Sequence, residues 1–309
     1  MVDANYVFLL SLTVILIGFL VKKIGILNEE HGKNIAKVIL NITLPALILD
    51  VFSEIEISPV LLLLPLLALF YSAIVLGISF LVFRTTSLTQ KGIFLMTSIG
   101  FNIGLFAYPM VEAIWGAQGM EYLIMFDLGN SFVVFVFAYT VGFIYSPDLK
   151  PEKKQLEIKD VLKNILKSVP LIILLIAITL NITGIILPIF IKDLLNILSR
   201  ANMALTLLIL GIFINIDFEK ENWKNIVKVL VLRYGLGLIA GIIVFLVLPF
   251  ELIYNAVIFI ALILPIGMSA IPFSVEFGYN ERVASTLVNL TNIISFFLMW
   301  LIVSLLGIS

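Results

Sequence analysis

The sequence predicts an all-α membrane protein: ten transmembrane helices forming two inverted repeats of five, with crossover helices four and nine broken. Three observations lead there. The 309 residues are 61% hydrophobic and 13% charged, with a mean hydropathy of +1.18, whereas soluble domains carry about 25% charged residues. Ten apolar stretches follow one another, each long enough to cross a bilayer as a helix. One polar stretch, residues 146–160 (SPDLKPEKKQLEIKD), divides them five and five. Five is odd, so the second set enters the membrane from the opposite side.

The spans lie near 4–22, 34–52, 58–82, 92–114, 121–145, 164–184, 190–214, 226–249, 252–275 and 283–306. The first follows Asp3 with no Lys or Arg before it and no small-residue cleavage site, so it reads as a retained span rather than a signal peptide. The second and seventh are weaker, because Asn41 and Asp50 enter one and Ser199, Arg200 and Asn202 the other. The resulting organisation is a first repeat over 1–145, a linker over 146–160 and a second repeat over 161–309. Basic residues give the orientation. With both termini outside, the inner loops collect Lys22, Lys23, Lys33 and Lys37, then Arg84 and Lys91. The linker region adds Lys150, Lys153, Lys154, Lys159, Lys163 and Lys167, and later loops add Lys220, Lys224, Lys228, Arg233 and Arg282. That leaves only Lys192 and Arg200 elsewhere, so the linker is expected inside, and Arg200 is the cation expected well within the apolar region.

The fourth and ninth spans carry the features that point to function. In Gly92 to Val111 (GIFLMTSIGFNIGLFAYPMV) sit Gly100, Asn102, Gly104 and Pro109; in Leu252 to Val275 sit Pro265, Gly267, Ser269 and Pro272. Proline lacks a backbone N–H and clashes with the preceding turn, and the carbonyls it frees need partners that hydrocarbon does not offer. Interrupted segments in corresponding positions of two halves mark the substrate site of a secondary transporter. An amide at the depth of Asn102 costs free energy unless it is bonded. It is expected to bind a carboxylate together with freed backbone N–H groups; a helix–helix hydrogen bond is the alternative. Pro265, Ser269 and Pro272 form the matching half-site, with Gly267 allowing close approach. Asn41 and Asn130 add amides in the second and fifth spans. Asp127, Glu112 and Glu276 are the candidate coupling carboxylates, since ionisable groups inside a membrane are functional hypotheses by default.

Other chemistries are excluded or unsupported. There is no Cys, so thiol nucleophiles, disulfides and Cys-ligated metals are out. The one His, His31, reads as a solvated loop residue. No nucleotide loop, metal cluster or catalytic pair is present, so no enzyme, metal or cofactor is expected. No basic block suggests nucleic acid.

At the residue level the chain resembles the auxin efflux carrier family, as a prokaryotic member of this ten-helix architecture. The resemblance rests on GFLVKKIGILNEE (18–30), LNITLPALILD (40–50), FNIGLFAYP (101–109), FDLGNS (126–131), ILSRANMALTLLILGIFI (197–214) and LPIGMSAIPFSVEFG (264–278), in order and spacing. It brings Tyr108, inside the first crossover motif, into the substrate-binding set with Pro109. The chain departs in its short central loop, in a tenth span without proline, and in Ser269 where many relatives carry Asn. The resemblance implies a secondary transporter of the cell membrane, moving a small organic anion by alternating access, with efflux driven by membrane potential. A sodium- or proton-coupled symporter and a non-transporting receptor on the same fold are the alternatives. The expected partners are the organic anion, the lipid bilayer and, for assembly, a homodimer.

Overall fold

A computed structural model of the chain describes residues 3–52, 55, 58–148, 159, 162, 165, 166, 168–215 and 221–307. The linker expected over 146–160 therefore lies mostly outside the described residues, as do Lys150, Lys153, Lys154, Lys163, Lys167 and Lys220. Every regular element among the described residues is helical.

Helix α1 (Ala4–Lys23) starts at Asp3, whose side chain accepts from Asn5 N, and ends on Lys22 and Lys23, where positive charge meets the negative end of the helix dipole. Helix α2 (Glu29–Val38) begins with a capping box. Asn28 accepts from His31 N, and His31 Nδ1 accepts from Asn28 N, so the lone histidine caps a helix. A wide π turn (Ile39–Thr43) leads into α3 (Leu44–Phe52). Pro45 sits just past that turn, and a widened turn is one way a helix absorbs the hydrogen bond that proline cannot make. Then come α4 (Leu63–Val82), α5 (Leu88–Ser98), α6 (Tyr108–Phe132) and α7 (Tyr139–Ile144), with π turns at Ile103–Ala107 and Val133–Ala138. The second half holds α8 (Val169–Ile182), α9 (Ile189–Phe213), α10 (Trp223–Val247), α11 (Leu252–Ala261), α12 (Ala270–Glu276) and α13 (Glu281–Leu306).

Helix α6 is a hairpin. Gly116 has φ 57° and ψ −145°, and Tyr108 Oη donates to Asp127 Oδ2 at 2.8 Å. Nineteen residues of straight helix would hold those side chains about 28 Å apart, so the chain folds back at Gly116. This separates the fourth and fifth expected spans. Seven helical runs among the described residues are long and apolar enough to cross a membrane, and α8 and α11 are shorter apolar helices. Large apolar side chains point outward from several of them: Phe70 is 70% exposed and Leu246 75%. That exterior suits lipid, and the chain is a multi-pass membrane protein.

With no hydrophobic drive between helices in lipid, close backbone approach has to supply the packing. Helices α1 and α9 run parallel and nearly touch: Gly18 lies on Leu208 O and Gly211 on Ile15 O, so a Cβ on either glycine would collide with a carbonyl. Lys22 Nζ then reaches Ile214 O at 3.1 Å. One apolar core joins α1, α3, α6, α9 and α11; a second joins α5, α7, α12 and the starts of α10 and α13. Phe101 belongs to the first and Ile99 and Ile266 to the second. The two interruptions in the helical backbone therefore sit where the cores meet.

Candidate functional site

The first interruption runs from Ile99 to Asn102, between α5 and the π turn before α6. It centres on Gly100 rather than on Pro109. Gly100 has φ +76°, and a Cβ there would press on Val134 Cγ2, so both conformation and space demand glycine. Pro109 falls just past the π turn Ile103–Ala107 in continuous helix, as Pro45 falls past its own π turn, and the widened turn absorbs the hydrogen bond that proline cannot make. The second interruption runs from Leu262 to Ser269, between α11 and α12. Pro265 stands in its extended middle, while Pro272 falls in the first turn of α12.

The two interruptions touch: Asn102 N donates to Pro265 O at 2.9 Å. Each is also braced by the helix that follows its own half-helix pair. Asn130 Oδ1 accepts from Phe101 N at 2.8 Å, and Asn130 Nδ2 donates to Phe101 O at 3.1 Å. On the other side Thr291 Oγ1 accepts from Ile266 N at 3.1 Å, and Ser295 Oγ donates to Ile263 O at 2.7 Å. Tyr234 Oη lies 2.8 Å from Ser295 Oγ and donates to Thr291 O.

Between the interruptions lies a cation expected in an inner loop. Arg233 is 2% exposed. Its Nε donates to Leu264 O at 2.9 Å, Nη2 to Gly100 O at 2.7 Å and Pro265 O at 2.9 Å, and Nη1 approaches Ser98 O at 3.4 Å. The guanidinium carbon stands 4.6 Å from the centroid of the Phe101 ring. Helix register carries it to this depth. Helix α10 begins at Trp223, so Arg233 is ten residues, or about 15 Å, along it. Arg200, expected to be the buried cation, is exposed on α9.

The other expected site residues are distributed as follows. Asn102 is 5% exposed, and its side-chain nitrogen has no hydrogen-bond partner among the described residues. Tyr108 is buried and bonds Asp127; Asp127 Oδ1 accepts from Asn130 Nδ2 at 2.9 Å. Asp127, Tyr108 and Asn130 thus form a chain that staples the α6 hairpin to the first interruption. Gly267 and Ser269 border a void of only about 10 Å³ with Ile99 and Val134, room for one water at most. Asn41 is exposed and donates to Lys37 O on its own helix. Glu276 is exposed and accepts from Tyr139 Oη at 2.7 Å. Glu112 is half-buried, and its Oε2 has no hydrogen-bond partner among the described residues. A larger cavity of about 290 Å³ opens between α3, α8 and the start of α9, and none of its lining residues belongs to either interruption.

The site therefore offers a fixed cation, an unpaired amide donor and two stretches of extended backbone, all shut away from solvent. Comparison with known proteins fits a transport role. A family model described as membrane transport protein matches residues 7–303. An uncharacterized transporter of Methanocaldococcus jannaschii is 29% identical over 216 residues, 67% of each chain. An uncharacterized transporter of Methanothermobacter thermautotrophicus is 23% identical over 289 residues, 92% of each chain.

Proposed function

The chain belongs to the membrane transport protein family, which takes in the auxin efflux carriers, and from that premise we propose that it is a secondary carrier moving a small organic anion by alternating access. Family membership makes it a transport protein rather than an enzyme. The observation that carries the substrate reading is the side chain of Asn102. A buried amide N–H without a partner costs about 1–3 kcal/mol, and this one is held beside the joined interruptions by the bond from its own backbone N–H to Pro265 O. A carboxylate would accept from it, and the positive charge of Arg233 favours an anion nearby. The void beside Gly267 and Ser269 is too small for an organic acid, so entry requires the helices packed around the joined interruptions to move; this is the alternating-access step.

The ten-helix inverted repeat is the frame this reading needs. It is supported by the equivalent bracing of the interruptions: Asn130 holds Phe101 N in the first half and Thr291 holds Ile266 N in the second. With both termini outside the cell membrane, an anion leaving the cell runs down an inside-negative potential, a gain of about 2.3 kcal/mol per charge per 100 mV. Efflux by uniport then needs no coupled ion. Glu112 Oε2, buried with no hydrogen-bond partner among the described residues, favours a second reading in which a proton travels with the anion. Proteoliposomes separate the two. Uniport gives flux that follows an imposed potential and survives Glu112→Gln and Asp127→Asn; proton coupling gives flux that answers a pH gradient and loses that answer in one of the variants.

A further inference from the structure

We propose that Arg233 is a tethered counter-cation: its guanidinium permanently fills, from within the chain, the carbonyl cradle that would otherwise hold a free monovalent cation. The extended backbone of the interruptions leaves the carbonyls of Ser98, Gly100, Leu264 and Pro265 without helical partners. They belong to two separate chain segments and converge on one point. Carbonyl oxygens of interrupted half-helices are the ligands with which transporters hold coupling ions. Here three of them lie 2.7–2.9 Å from Arg233 nitrogens and the fourth at 3.4 Å. The Phe101 ring closes one face of the guanidinium at 4.6 Å, a cation–π contact that is strongest when desolvated. Pro265 O accepts from both Arg233 Nη2 and Asn102 N, so the same oxygen ties the cation to the candidate substrate amide.

Two consequences follow. A sodium ion would need the oxygens that Arg233 already holds, and it would approach a like charge in a low-dielectric interior. No carboxylate is ion-paired with Arg233 among the described residues, so its charge is left to act on the substrate position. Arg233 is thus a positioning residue. It locks the two interruptions in contact and biases the site towards anions without touching the fold's outer surface. The inference deepens the carrier reading, but its first test needs no substrate.

Purified wild type, Arg233→Ala and Arg233→Lys are melted in sodium chloride, choline chloride and millimolar guanidinium chloride. Wild type is expected to melt identically in sodium and choline, and to gain nothing from guanidinium. Arg233→Ala is expected to melt roughly 5 °C or more lower, and to recover most of that loss as guanidinium is titrated in, because the freed cradle fits the ion it was built around. Arg233→Lys, which keeps a charge in place, is expected to show no such recovery. Saturable stabilisation of wild type by sodium overturns the proposal whether or not the variants fold. So does a folded Arg233→Ala that melts like wild type or ignores guanidinium. Failure of organic-anion flux with these melting results intact would instead sink the carrier reading and leave the tethered cation standing.

Discussion

At the scale of single residues, polar side chains around the interruptions divide by whether they already have partners. Asn130 spends its whole amide on the backbone of Phe101 and on Asp127. Asn130→Ala strands a buried N–H and a buried carbonyl, and should cost about 1–3 kcal/mol per stranded group, read as a lower melting temperature. Asn102 is the opposite case. Removing an amide whose nitrogen bonds nothing among the described residues should leave the melting temperature unchanged or slightly higher, while the affinity for an organic anion falls in a ligand-induced thermal-shift titration. Equal melting losses in the two variants would show that Asn102 is a structural amide after all. Asn102 was legible in the sequence because an amide in an uncharged twenty-residue run stands out. Arg233 was not. It follows Lys220, Lys224 and Lys228 closely enough to pass for the last cation of a basic loop, and only the start of α10 at Trp223 shows that it lies about three turns inside.

At the scale of elements, the broken spans were legible and their mechanics were not. Proline and glycine together announced two interruptions, but Pro109 falls just past a π turn in continuous helix and Pro272 in the first turn of α12, and proline is tolerated at both places. The first interruption is made by Gly100. Left-handed backbone is costly for any residue with a Cβ, by roughly 1–2 kcal/mol, and here the Cβ would also meet Val134. Gly100→Ala should therefore shift the carbonyls that Arg233 holds and lower the melting temperature, whereas Gly77→Ala, on α4 with open space around it, should not. The parallel pair α1 and α9 gives a second prediction. Gly211 lies on the Ile15 carbonyl, so Gly211→Leu should separate the two helices and yield protein that aggregates on size-exclusion chromatography; a monodisperse variant with wild-type stability would show that this contact is dispensable. Sequence alone could not pair these helices, because an apolar run with glycines reads the same whichever neighbour it meets.

At the scale of the whole molecule, hydropathy outlined a multi-pass membrane protein and the interrupted spans a transporter, and family membership agrees. Orientation is open to a direct test in a chain without cysteine. Lys153→Cys in intact cells should resist an impermeant thiol reagent until the membrane is opened, and labelling from outside would reverse the topology. Substrate and direction were not legible, since they depend on a polar site whose donors come from residues far apart in the chain. In the proposed carrier an organic anion passes beside Asn102, at the joined interruptions. That route is tested most directly by organic-acid flux in proteoliposomes under an imposed potential, comparing wild type with Asn102→Ala. Wild type should give sodium-independent flux that follows the potential and is largely lost in an Asn102→Ala protein of unchanged melting temperature; equal flux through both proteins would mean that the anion does not pass Asn102.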